Sequence, residues 1–128
     1  MDILLDTHTL LWFITDDPRL SRNGVKLIDD PLNNKFVSIV SLWEISIKIS
    51  TGKISLIEPF EDLFPHQLEV NGFELMPVKI EHTSIITALP FHHRDPFDRL
   101  LIAQSMRENM PIVSADKVFD VYDITRLW

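Results

Sequence analysis

Four carboxylates in this sequence each stand beside a short apolar segment. Asp6 follows Ile3-Leu4-Leu5, Glu44 closes Ser41-Leu42-Trp43-Glu44, Asp98 closes Asp95-Pro96-Phe97-Asp98, and Asp116 follows Ile112-Val113-Ser114-Ala115. If the fold gathers them, like charges raise one another's pKa and oppose the compact state, and a divalent cation is the simplest compensation. Oxygen donors, with no cysteine in the chain and no paired-histidine spacing, suit Mg²⁺ or Mn²⁺ far better than Zn²⁺. Such an ion lowers the pKa of a water, polarises a phosphoryl oxygen and stabilises a leaving oxygen.

The elements that must position these acids can be read around them. Asp95 suits a helix N-cap, Pro96 the first helical position, and Leu100, Leu101 and Ala103 an inward stripe, which puts Asp98 third in the helix. Taken alone, this is simply a well-capped helix, because acids favour helix N-termini for the free N–H groups and the dipole. Ile3-Leu4-Leu5 reads as a strand buried on both faces and ending at Asp6, then a turn at Thr7-His8-Thr9 and a buried helix from Leu10 to Ile14, closed by Asp16-Asp17-Pro18. Asp116 repeats the position of Asp6, with a helical turn at Lys117-Val118-Phe119 after it.

Phe36 to Val40 reads as the second strand, and Ser41-x-x-Glu44 has the spacing of a capping box, which would start a helix at Ser41 and set Glu44 in its opening turn as Asp98 is in its own. Trp43, Ile45, Ile47 and Ile49 alternate with polar residues, the period of a strand. A strand from Phe36 to Ser50 would be unusually long, however, and Gly52 stands where a helix C-cap is wanted, so a helix is expected. Elsewhere, Ser21 caps a helix carrying Val25, Leu27 and Ile28. Phe60 to Val70 is helical, with Pro65 interrupting or restarting it. Phe73 to Met76 forms a third strand, Ile80 to Leu89 a helix, and Val121 to Thr125 an edge strand. This order specifies an open α/β fold with a mainly parallel sheet, whose working crevice lies beyond the carboxyl ends of its strands. All four acids project to that edge.

At 128 residues and 45% hydrophobic, one domain spanning 1–128 is expected. There is no apolar run of membrane-spanning length and no secretory signal at Met1 to Asp6, so a cytoplasmic protein without membrane attachment is expected. A net charge of −7 opposes passive nucleic-acid binding, which draws on Lys and Arg. Metal held by the acids would cancel part of that charge and remove the objection.

Four stretches in order, Leu4-Leu5-Asp6-Thr7-His8, Ser41-Leu42-Trp43-Glu44-Ile45, Asp95-Pro96-Phe97-Asp98-Arg99-Leu100-Leu101-Ile102-Ala103-Gln104 and Val113-Ser114-Ala115-Asp116, resemble the PIN-domain ribonucleases and, within them, the toxins of bacterial VapBC-type toxin–antitoxin pairs. The resemblance spans almost the whole chain. It implies a PIN-like, three-layer α/β/α fold with helices flanking the sheet. It further implies Asp6, Glu44, Asp98 and Asp116 as the catalytic quartet holding Mg²⁺ or Mn²⁺, Thr7 and Ser114 hydroxyls as supporting contacts, RNA as the substrate, a homodimer, and a cognate antitoxin that covers the site. Asp95 remains an N-cap. The reaction implied is phosphodiester hydrolysis, with Glu44 or Asp98 orienting the attacking water or taking its proton.

Arg94, Arg99, Lys48 and Lys117 are near the acids in sequence and read individually as solvated charges; His92 and His93 read as exposed turn residues. The apolar content of Leu10 to Ile14 and Leu42 to Ile49 exceeds what one helix stripe must bury, which offers Trp12, Phe13 or Trp43 for a partner groove, with core packing accounting for most of them. A haloacid-dehalogenase-type phosphatase wants a second Asp two residues after the first, where this chain has His8, and a receiver domain wants paired acids with a late Lys. The rival from another class is a catalytically idle RNA- or protein-binding module whose acids are caps and loop charges.

Overall fold

Ile3, Leu4 and Leu5 are completely buried because β1 (Asp2–Leu5) has a strand on each edge and helices over both faces, which is why the run is apolar without alternation. The computed structural model describes all 128 residues. On one side β1 pairs with β2 (Asn34–Ser38), with Leu5 opposite Val37, and on the other with β4 (Ile112–Val113), with Leu5 opposite Val113. β3 (Phe73–Met76) extends the sheet beyond β2 and β5 (Arg126–Leu127) beyond β4. The order is β3-β2-β1-β4-β5 and every pairing is parallel.

Successive side chains of β1 feed two cores. Ile3 and Leu5 join Leu10 of α1 (Thr7–Ile14), Ile28 of α2 (Arg22–Asp29), Leu42 and Ile45 of α3 (Ile39–Ser50) and Phe64 of α4 (Phe60–Val70). Leu4 faces the other way, toward Leu101 and Ile102 of α6 (Pro96–Glu108), with Ile85 and Ile86 of α5 (Ile80–Ile86) packed against that cluster. The result is a three-layer α/β/α arrangement. α3 lies at the junction, packed against both α1 and α6, with Val40 in the second core. The chain runs outward from β1 to β2 and β3, then returns to place β4 on the opposite edge of β1. The carboxyl ends of β1 and β4 are therefore the topological switch point, where open α/β sheets hold their ligands.

Several local expectations are corrected. Thr7, His8 and Thr9 are the first turn of α1, because the Asp6 carboxylate caps that helix through the Thr9 N–H at 2.7 Å. β2 stops at Ser38, where its pairing to Met76 ends, and Ser38 rather than Ser41 caps α3, accepting from the Val40 N–H at 3.1 Å. The Ser41–Glu44 capping box does not form. α4 runs unbroken through Pro65, its sixth residue, which is exposed and forgoes the bond to the Glu61 carbonyl. α5 ends at Ile86, short of Leu89. The edge strand is Arg126–Leu127 instead of Val121 to Thr125, because the buried Tyr122 curls the preceding segment inward before β5 meets β4. No helix is long and apolar enough to cross a membrane.

Candidate metal centre

Asp6 directly follows β1, with a side chain already committed at both oxygens. One accepts the Thr9 N–H, the other a short hydrogen bond from the Ser114 hydroxyl just beyond β4. Burial pushes its carboxyl pKa above the ordinary value, and the Ser114 and Thr9 hydrogen bonds oppose that rise. The Ser114 oxygen also accepts the Asp116 N–H at 3.0 Å, so one hydroxyl ties the ends of the two adjacent strands together. Asp116 caps the 3₁₀ helix at Lys117–Val121 through the Val118 N–H, and its carboxylate shares a shallow hollow of about 260 Å³ with Asp6, His8, Trp12, Arg19 and Ala115.

Asp98 is the third residue of α6, as the Asp95 cap and Pro96 require; its N–H donates to Asp95 Oδ1 at 3.0 Å. Its pKa is raised to about 6, by partial burial first, then by the neighbouring Asp95 charge, with Glu44 adding to the repulsion and His93 opposing it. Glu44 is not in an opening turn. It is the sixth residue of α3, buried, and its carboxylate is held by the Thr7 hydroxyl at 2.8 Å and by Lys48 Nζ at 2.8 Å one turn along. Ser41, freed from capping, lies hydroxyl to hydroxyl with Thr7 at 3.0 Å.

Potential ligand atoms of His93, Asp98 and Asp116 all lie within 4.8 Å of one another. Asp6 adjoins this group through Ser114, and Glu44 is near enough to Asp98 to raise its pKa. Residues 3–124 match the PIN domain family. The chain belongs to the PIN-domain family. PIN domains are generally nucleases and typically use divalent metals.

This PIN domain is similar in fold to VapBC2 from Rickettsia felis, solved bound to a DNA fragment from its promoter, with a TM-score of 0.76 at 18% identity over 99% of this chain and 98% of that one. VapBC-1 from nontypeable Haemophilus influenzae follows at 0.67 and 14%, covering 99% and 97% of the two chains. FitAcB from Neisseria gonorrhoeae gives 0.67 and 14%, covering 98% and 96%. At such identities the likeness is one of fold. No curated protein matches the sequence.

Carboxylate oxygens crowded at a switch point, one with its pKa lifted to about 6 by burial and then by neighbouring charge, form a donor set suited to a hard divalent cation, which would offset both. Each Asp6 oxygen accepts one donor and keeps a lone pair for such an ion.

Two residues in this region differ from the reading of the sequence. His93 is half-buried rather than an exposed turn residue, with Nε2 2.7 Å from Asp98 Oδ2. Arg99 is buried rather than solvated. It donates to the carbonyls of Leu89 at 3.0 Å, Pro90 at 2.8 Å and His93 at 3.3 Å, and stacks on Phe91 with 3.9 Å from guanidinium carbon to ring centre. No periodicity announces either role. The one available signal is an Arg directly after the acid in an apolar helix face, which must find partners when buried. Lys48 is paired with Glu44, while Arg94 and Lys117 are exposed as expected. Among the aromatics, Phe13 packs on Phe73, Trp12 is half-buried between Arg19 and Trp128, and Trp43 is exposed with its ring edge against Phe97.

Proposed function

We propose that this PIN domain is a metal-dependent ribonuclease, an Mg²⁺- or Mn²⁺-dependent hydrolase of RNA phosphodiesters, and the toxin of a VapBC-type toxin–antitoxin pair. Asp6, Glu44, Asp98 and Asp116 would hold the ion. The observation that carries the reading is the meeting of Asp98 and Asp116 beside Asp6 at the switch point of a family whose members are generally nucleases. The toxin assignment draws on neighbours that are VapBC and FitAcB assemblies, and with it come a cognate antitoxin, a homodimer and a cytoplasmic setting.

Bound at this edge, the cation would supply Lewis acidity, activating a water and offsetting charge that builds on the scissile phosphate. The chain's own groups do the rest. Asp6, locked by Thr9 and Ser114, presents a fixed carboxylate. Lys48 offsets the charge of Glu44, and Asp98 or Glu44 orients the attacking water or accepts its proton. The exposed Lys117 and Arg94 flank the acids and attract a phosphate backbone.

The direct test is cleavage of a mixed tRNA and total RNA pool by purified protein in Mg²⁺, Mn²⁺ or EDTA, with folded Asp6→Asn and Asp98→Asn as controls. Cutting that needs metal and falls at least about 100-fold in both variants is expected, since even outer-shell partners of metal ligands are worth about 10- to 100-fold. A second reading, an idle binding module, has its own observation: Asp6, Asp95 and Asp116 all accept helix-cap N–H bonds and so have a structural task. It predicts a melting temperature unmoved by saturating Mn²⁺, where the nuclease reading requires a rise.

A further inference from the structure

We propose that His93 is a positioning residue for Asp98, aimed by a clamp of Arg99 and Tyr122 on the backbone of the segment from Leu89 to Asp95. The inference rests on the metal-site reading above and deepens it. His93 Nδ1 is placed to accept the Asp95 N–H at 3.4 Å, which assigns the ring proton to Nε2 and makes the 2.7 Å contact a donation to Asp98 Oδ2. That hydrogen bond fixes the rotation of the Asp98 carboxylate and reserves its other oxygen for a cation. Histidines and carboxylates around metal sites commonly orient ligands in this way.

The backbone that carries the ring is held from behind by side chains of two other elements. The Tyr122 hydroxyl accepts the His93 N–H at 2.8 Å and donates to the Pro90 carbonyl at 2.9 Å. Arg99 reaches the carbonyls of Leu89, Pro90 and His93 and has no carboxylate partner of its own. A guanidinium buried without a counter-charge is costly, and here it is spent entirely on the shape of one short segment. Both backbone polar groups of His93 are therefore fixed, by side chains from the start of α6 and from the segment after the 3₁₀ helix.

The test is Mn²⁺ binding by the purified, metal-free full chain, measured by calorimetry for wild type, His93→Ala, His93→Gln, Tyr122→Phe and the double variant His93→Ala/Tyr122→Phe, each checked for folding by its thermal melt. Tyr122→Phe removes a single hydroxyl and spares the buried ring. The expected results are a loss of about 10- to 100-fold in Mn²⁺ affinity for His93→Ala, a smaller loss for Tyr122→Phe, and no further loss in the double variant, because the tyrosine acts through the histidine. His93→Gln, which restores an N–H donor, should recover part of the affinity. Pulsed EPR of the Mn²⁺ complex should show no directly bound nitrogen. An affinity within twofold of wild type in His93→Ala, additive losses in the double variant, or a nitrogen ligand in the EPR spectrum would each overturn the positioning role. Failure of the wild type itself to bind Mn²⁺ would overturn the metal-site reading and this inference with it, so the two failures are distinguishable.

Discussion

Asp6 and Asp98 are both carboxylates at the same edge of the sheet, yet the fold holds them in opposite ways. Asp6 directly follows a strand, is almost wholly buried, and has each oxygen satisfied by a donor from the rigid centre of the molecule. Asp98 is less buried, next to Asp95 and within reach of Glu44, and its side-chain partner is an imidazole on a connecting segment. The first acid is a fixture of the switch point. The second is a charge disfavoured by burial and by its acidic neighbours, available to a cation.

The largest effect expected from this contrast is on the Asp6 side. Ser114→Ala removes the hydroxyl that donates to Asp6 and accepts from Asp116, leaving a buried carboxylate oxygen and an N–H unpaired. A loss of about 1–3 kcal/mol is expected, read as a lowered urea midpoint with an unchanged slope. On the other side the sign reverses. Asp98→Asn removes a charge that the native state disfavours, so the metal-free variant should be more stable than wild type at pH 7.5, by roughly 1–2 kcal/mol after solvent screening, while losing the metal response. If both substitutions destabilise the metal-free chain alike, the distinction between fixture and strained charge is wrong.

The same contrast divides what the sequence could reveal. The cap and Pro96 at the head of α6 and the acids after Ile3-Leu4-Leu5 and Ile112-Val113 were readable because short-range rules govern them, namely capping, proline geometry and the apolarity of doubly buried strands. The order of strands then brought the acids to one edge. Ser41 failed as a cap because the end of β2 pairing, a long-range matter, lets Ser38 start the helix first. Val121 to Thr125 failed as a strand because Tyr122 has its own partners at Pro90 and His93. His93 and Arg99 were hidden for the same reason: their roles exist only once a connecting segment has been folded back by carbonyl bonds that leave no periodic trace.

The pH dependence of the metal-free protein follows from Asp98. Its native pKa of about 6 lies above the ordinary 3.8, so the folded form keeps the proton longer than the unfolded chain. Between about pH 4 and about pH 6 this group's contribution to stability falls as pH rises, and above that range it changes no further. Asp6, raised by burial, adds a slope of the same sign in wild type and variant alike. Melting temperatures of wild type minus those of Asp98→Asn should therefore decline across that window and flatten beyond it. A flat difference throughout would show that neither burial nor neighbouring charge holds the Asp98 pKa above its ordinary value.

The finest test isolates why Asp98 is raised. Asp95→Asn keeps the N-cap, since asparagine caps a helix about as well as aspartate, so global stability should shift by only a few tenths of a kcal/mol. It nevertheless removes the charge ranked next to burial among the causes of the shift. The Asp98 titration, followed by carboxyl NMR on the metal-free protein, should move down from about 6 toward the usual aspartate range. If the midpoint stays in place, burial rather than the Asp95 charge sets it, and a cation entering the site would gain chiefly from pairing with a desolvated carboxylate rather than from quenching the repulsion between Asp95 and Asp98.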